Sequence, residues 1–110
     1  MLLLDMKESG EKILKYTGGL TYDDFLKDDK TIDAVVRNFE IIGEASIRIK
    51  DDFKLDHPQI EFKKLRRFRN RIVNEYFGID YEIVWSIIES DLEELIFQLD
   101  EILGNEESDK

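Results

Sequence analysis

Residues 80–104 read DYEIVWSIIESDLEELIFQLDEILG, and their pattern decides the fold class. Tyr81, Trp85, Ile88, Leu92, Leu95, Leu99 and Ile102 recur at steps of four and three. On a helix with about 3.6 residues per turn, that spacing stacks the apolar side chains into one continuous stripe, a heptad seam. A strand would instead alternate apolar and polar residues. Asp80 is a good N-cap for this helix, Ile79 can staple onto Val84, and Gly104 is the residue type expected just past a helix end. A regular apolar stripe of this kind needs no ligand to explain it, so Trp85 and its neighbours are read as core or as a dimer seam.

Working outward, the segment immediately upstream predicts a helix over 58–77. Pro58 is tolerated at a first helical position because its absent N–H would have had no partner there. Phe62, Leu65, Phe68, Ile72 and Val73 give this helix an apolar face, and Gly78 ends it before the next cap. A further helix is predicted over 31–49, where Ile32, Val35, Phe39, Ile42, Ser46 and Ile49 keep the same spacing. Gly43 lies beside that stripe, where a missing side chain lets another helix approach closely at about 1 kcal/mol of helix propensity. A first helix over 3–16 ends at Gly18 and Gly19, and Thr21 caps a short turn through Phe25 and Leu26. Four or five helices joined by short loops predict an all-α, antiparallel bundle. Residues 1–104 read as one domain, and 105–110 as a solvated C-terminal tail.

Composition agrees. The sequence has 110 residues, 42% of them hydrophobic, with a single proline, which suits one folded domain with one core. It has no cysteine, which excludes disulfides, thiolate metal sites and thiol nucleophiles. The apolar start at Met1 to Leu4 is interrupted at once by Asp5, Lys7 and Glu8, too soon for a signal-peptide core. No apolar run approaches the roughly 20 residues that span a bilayer. A cytoplasmic protein with no membrane contact is therefore expected. The net charge is −10, yet Lys63, Lys64, Arg66, Arg67, Arg69 and Arg71 fall in nine residues with no acid among them. Once that stretch is set aside the remaining residues carry −16, so a short basic stripe crosses an acidic body. Such a distribution suits a contained phosphate site better than a general nucleic-acid coat.

The stripe leads into Arg69-Asn70-Arg71-Ile72-Val73-Asn74-Glu75-Tyr76. At about 100° per residue, Arg69, Val73 and Tyr76 share one helical face and Asn70 and Asn74 the neighbouring one. Arg69 and Asn74 are then roughly 140° apart, so a compact site needs the long arginine to sweep around or a partner helix to complete it.

Here the sequence resembles the HepT-like members of the HEPN superfamily, whose motif is arginine, four residues, histidine, one residue, tyrosine. Arg69, Asn74 and Tyr76 occupy those positions in order. The resemblance extends to residues 37–45, Arg-Asn-Phe-Glu-Ile-Ile-Gly-Glu-Ala, which look like the family's second helix, and continues through 77–85. It implies a HEPN-like bundle that dimerises with its motif helices at a shared cleft and acts as a metal-independent RNase toxin of a type VII toxin–antitoxin system. It further implies a MntA-type nucleotidyltransferase antitoxin that silences the toxin by attaching AMP to the motif tyrosine, here Tyr76. Arg69, Asn74 and Tyr76 are then the catalytic candidates, and Arg66, Asn70 and Arg71 the candidates for RNA or phosphate contact.

The departure is at Asn74, where the family carries histidine. Asparagine cannot shuttle a proton at neutral pH, although it can hydrogen-bond a ribose hydroxyl or a phosphate oxygen. Two functions stay open: an endoribonuclease toxin, and a non-catalytic HEPN subunit presenting nucleotide or substrate to a separate nucleotidyltransferase. The lone histidine, His57, precedes Pro58 in a loop or at a helix start and reads as solvated, not as a replacement base. Arg37 and Glu44 share a face and read more readily as a helix-surface network than as cleft residues. Acidic pairs such as Asp51-Asp52 and Glu93-Glu94 lack metal-ligand spacing, so neither metal nor cofactor is expected, and no Gly-rich phosphate loop marks the chain as the transferase itself. The apolar seams exceed what one small bundle hides, which points to a homodimer.

Overall fold

The computed structural model describes residues 2–63, 65 and 80–108. Among these there is no strand, and six helices have described bounds, α1 (Leu2–Thr17), α2 (Tyr22–Leu26), α3 (Asp29–Arg48), α4 (Asp51–Asp56), α5 (Tyr81–Ser90) and α6 (Leu92–Ser108), while Phe62, Lys63 and Leu65 are helical as well. They form the all-α, HEPN-like bundle expected of the sequence. The most extensive packing joins α1 to α3, α6 lies against both α1 and α5, and α2 rests on α3.

The helix starts follow from local chemistry. Thr21 and Asp24 form a capping box: the Thr21 hydroxyl accepts from the Asp24 N–H and the Asp24 carboxylate accepts from the Thr21 N–H, both at 3.1 Å. Asp28 caps α3, accepting from the N–H of Thr31 at 3.1 Å and from its hydroxyl at 2.7 Å. That cap starts α3 at Asp29, two residues before the predicted start. Asp80 caps α5 through the N–H of Ile83 at 3.2 Å. These bonds use N–H groups that a helix leaves without internal partners. Gly19, with φ +80°, takes the left-handed turn that follows α1.

The seam of residues 81–102 faces the core as predicted. Ile88, Leu92, Leu99 and Ile102 are buried, and Tyr81, Trp85 and Leu95 pack against them. Phe25 from α2 meets Trp85 with ring centroids 5.2 Å apart and Tyr81 at 6.5 Å. On the opposite side, Met6 and Ile13 of α1 and Val35 and Ile42 of α3 are fully enclosed. Burying side chains of this size contributes about 1.5–3 kcal/mol each.

The structure corrects the sequence reading in several places. Residues 80–104 are two helices, because Asp91 closes the first as its C-cap, at φ −116° and ψ −28°, still within the αR region. Ser90 and Asp91 are both weak helix formers, whose side chains compete for backbone groups. The ladder is nevertheless carried across by Asp91 N–H to Ile87 C=O at 2.9 Å and Leu95 N–H to Asp91 C=O at 3.1 Å, so the seam stays in phase. Gly104 does not terminate a helix, since α6 runs on through it to Ser108. Pro58 does not open one either. Residues 57–61 form turns, and the first bond of helical span beyond them runs from Leu65 N–H to Glu61 C=O at 3.2 Å. Ile60 and Phe62 are both buried although only two residues apart, an arrangement that a turn permits and a helix face does not. Between α3 and these turns lies α4, which the sequence reading missed. The predicted helix over 58–77 passes outside the described residues beyond Leu65, as does the staple at Ile79.

Candidate functional site

The residues that the sequence singles out for chemistry, Arg66, Arg69, Asn70, Arg71, Asn74 and Tyr76, lie outside the described residues. What is described is the framework on either side of them: Leu65, four residues before Arg69, and Asp80, four residues after Tyr76.

The stretch 37–45 sits in the middle of α3 and has two faces. Phe39, Ile42, Gly43 and Ala45 are buried, and Arg37 and Glu44 are exposed. The Arg37 guanidinium lies 3.7 Å from the Glu40 carboxylate one turn on, a helix-surface ion pair made with Glu40 where the sequence had suggested Glu44. Asn38 is buried and donates its amide N–H to the Ala34 carbonyl at 2.8 Å, so it serves the helix backbone.

Phe39 and Ile42 also form the inner wall of a cleft of about 310 Å³. Leu65, Ile87, Leu92 and Leu95 complete its apolar floor, while Gln59, Glu61, Ser90, Asp91, Glu94 and Gln98 form its polar rim. Residues at the end of α5 and the start of α6 line one edge of the cleft. Along the rim, the Gln98 side-chain amide donates to the Glu94 carboxylate at 3.3 Å. No lysine or arginine appears among the described lining residues. The sequence reading missed this cleft: Ser90, Gln98 and Gln59 are polar residues at surface positions and leave no periodic signal.

His57 proves to be the C-cap of α4. Its ring stacks on Phe53 with centroids 4.0 Å apart, and Nδ1 lies 3.0 Å from the Phe53 carbonyl. It lies just past a helix end, in the loop that was one of its two expected placements, and is half-buried by the stacking on Phe53. Lys54 places its ammonium 5.8 Å from the centre of the Phe62 ring, a cation–π contact that ties α4 to the start of the next segment. Lys63, the first cation of the basic stripe, is exposed. At the other end of the framework, burial pushes the Tyr22 phenol up, with the charges of Glu82, Asp80 and Asp23 adding to the effect. No cluster of three or more potential metal ligands occurs among the described residues, and no helix among them is long and apolar enough to cross a membrane.

An all-helical bundle whose long central helix carries the 37–45 stretch is a HEPN-type architecture. A family profile described as "Ribonuclease HepT-like" matches residues 6–102. The chain belongs to the HepT-like ribonuclease family. A Methanocaldococcus jannaschii protein named "Putative RNase" is 38% identical over 107 residues, covering 97% of this chain and 88% of its own. A Thermococcus cleftensis protein named "Probable ribonuclease HepT" is 41% identical, covering 84% of each chain. A Caldanaerobacter subterraneus protein, also named "Putative RNase", is 35% identical, covering 87% of this chain and 86% of its own. No solved structure matches the chain.

Proposed function

We propose that this protein is an endoribonuclease toxin that cuts RNA without a metal ion. The observation that carries the reading is the order Arg69, Asn74, Tyr76 in a chain whose relatives are named as ribonucleases. Arg69 braces the phosphoryl group as charge builds on its oxygens, a role that suits a planar and permanently charged fork. Asn74 holds the attacking 2′-hydroxyl by hydrogen bonding. Arg66, Asn70 and Arg71 hold neighbouring phosphates and sugars. Two copies of the chain form the working unit. A MntA-type nucleotidyltransferase antitoxin silences the toxin by attaching AMP to Tyr76, adding negative charge where RNA phosphate would sit.

The test is direct. Purified protein incubated with RNA in EDTA is expected to cleave it, and Arg69→Ala to lower cleavage by about 10²–10³-fold, as loss of one transition-state donor does. Equal activity in wild type and variant overturns the assignment. Mass spectrometry after co-expression with the transferase then tests AMP attachment to Tyr76.

Asn74 favours a second reading, in which the same dimer binds nucleotide or RNA for a separate nucleotidyltransferase and cuts nothing. Here the wild type leaves RNA intact while still binding it.

A further inference from the structure

The cleft between α3 and the α5–α6 junction joins an apolar floor to a polar rim, and this pairing restricts what can fill it. At about 310 Å³ it falls at the lower end of the ~300–1,000 Å³ of small-ligand sites. A phosphate is a poor occupant, because the rim carries the carboxylates of Glu61, Asp91 and Glu94. An aliphatic chain is also poor, since it would strip water from the rim without returning hydrogen bonds. A flat, uncharged ring with a hydrogen-bonding edge satisfies both surfaces.

We propose that this cleft receives one unpaired nucleobase of the bound RNA, with preference for a base bearing an exocyclic amine. The inference rests on the RNA-binding reading above and adds a base subsite to it. Leu65, Ile87 and Leu95, the partly exposed residues of the floor, pack against the ring, as apolar side chains do around extruded bases. Ionised carboxylates only accept hydrogen bonds, and each offers about four lone-pair positions, so a rim acid can take an amino N–H in addition to any partner it already has. Cytosine, adenine and guanine supply that amine; uracil presents carbonyl oxygens in its place and meets the rim unfavourably. Gln59 can both donate to and accept from the ring edge.

The experiment measures binding of four labelled oligomers of equal length by fluorescence anisotropy: oligo-A, oligo-C, oligo-U and a strand with the same sugar–phosphate backbone but no bases. Oligo-A and oligo-C are expected to bind at least about ten-fold tighter than the abasic strand, with oligo-U in between, its ring held by the floor and its carbonyl oxygens opposed by the rim. Ser90→Phe fills the cleft from an exposed rim position and is expected to reduce oligo-A and oligo-C to the abasic level while leaving abasic binding unchanged. Gln59→Ala, the milder variant, should reduce base-dependent binding by a few-fold. If the abasic strand binds as well as the others, the base subsite is overturned while the RNA reading stands. If no oligomer binds, both fall. If Ser90→Phe breaks a dimer seen by sedimentation and leaves the base preference intact, the cleft is the seat of a second copy, which also overturns the proposal.

Discussion

At Gly10, a Cβ would stand 3.0 Å from Cγ1 of Ile96 and 3.5 Å from Cδ1 of Leu92, so the absent side chain is what lets α1 approach α6. Gly104 is the opposite case. It lies inside α6 with nothing within 4 Å of where a Cβ would sit, and its φ is not positive. The two glycines should therefore respond with opposite signs. Gly104→Ala is expected to raise stability by about 0.5–1 kcal/mol, since the backbone is already helical and the unfolded chain loses freedom. Gly10→Leu is expected to lower it by about 1–3 kcal/mol through overpacking. Chemical denaturation of the two variants against wild type reads both values. At Asn74 the expectation concerns rate. Asparagine removes no proton, so cleavage by the wild type should rise steadily with pH as hydroxide takes over that role. Asn74→His should restore a titrating base, accelerate cleavage by about 10²–10⁴-fold near neutrality and introduce an inflection near the usual imidazole range. A flat pH profile in both proteins would remove Asn74 from the reaction.

The elements depend on their caps, and two of the caps titrate. The Thr21 N–H bonded to Asp24 holds that carboxyl below its ordinary value, with the Thr21 side chain assisting. The Thr31 hydroxyl and N–H do the same for Asp28. A carboxyl depressed in the folded state contributes stability that is fully present above its unfolded value, here near 3.8, and is lost as pH falls through the folded one. The melting temperature should accordingly decline as pH is lowered past about 4, and less steeply in Asp24→Asn/Asp28→Asn, because asparagine still caps a helix but does not titrate. An unchanged slope in the double variant would show that other carboxylates control acid unfolding. The same elements show which features a sequence can display. The seam through Trp85, Ile88, Leu92 and Leu99 was legible because every third or fourth residue repeats the signal. The break at Asp91 was not, because a hydrogen-bonded αR residue leaves that spacing undisturbed. Six residues, Asp51–Asp56, are too few to show a helical period, which hid α4. Pro58 is ambiguous, as proline favours both a helix start and a turn, and only the joint burial of Ile60 and Phe62 selects the turn. In the candidate site, the order Arg69, Asn74, Tyr76 could be read directly, whereas the cleft arises from residues far apart in sequence that gain meaning only by folding together.

For the whole molecule the deciding property is how charge is shared out. All the acids lie outside 63–71, which holds six of the sixteen basic residues, so the body repels a polyanion that one stretch attracts. Exposed carboxylates occur on every described helix: Asp5 and Glu11, Asp23, Asp33 and Glu44, Asp51, Glu82 and Glu89, Glu93 and Asp100. RNA cannot wrap such a surface, and the number of phosphates engaged is bounded by the cations of the stripe. A single strand releases about 0.7 counterion per neutralised phosphate. With at most six such contacts per copy, the slope of log K against log salt should be no steeper than about −4 for a strand held by one copy and about −8 for one held by both copies of the proposed dimer. Removing one exposed member with Lys63→Ala should flatten it by about 0.7 if that lysine meets a phosphate, with little change in which RNA is preferred. Titrations of a labelled oligomer at several salt concentrations give the slope. A value well beyond −8 would require cations outside the two stripes to join the interface, and with it an RNA path across the acidic body that this charge distribution opposes.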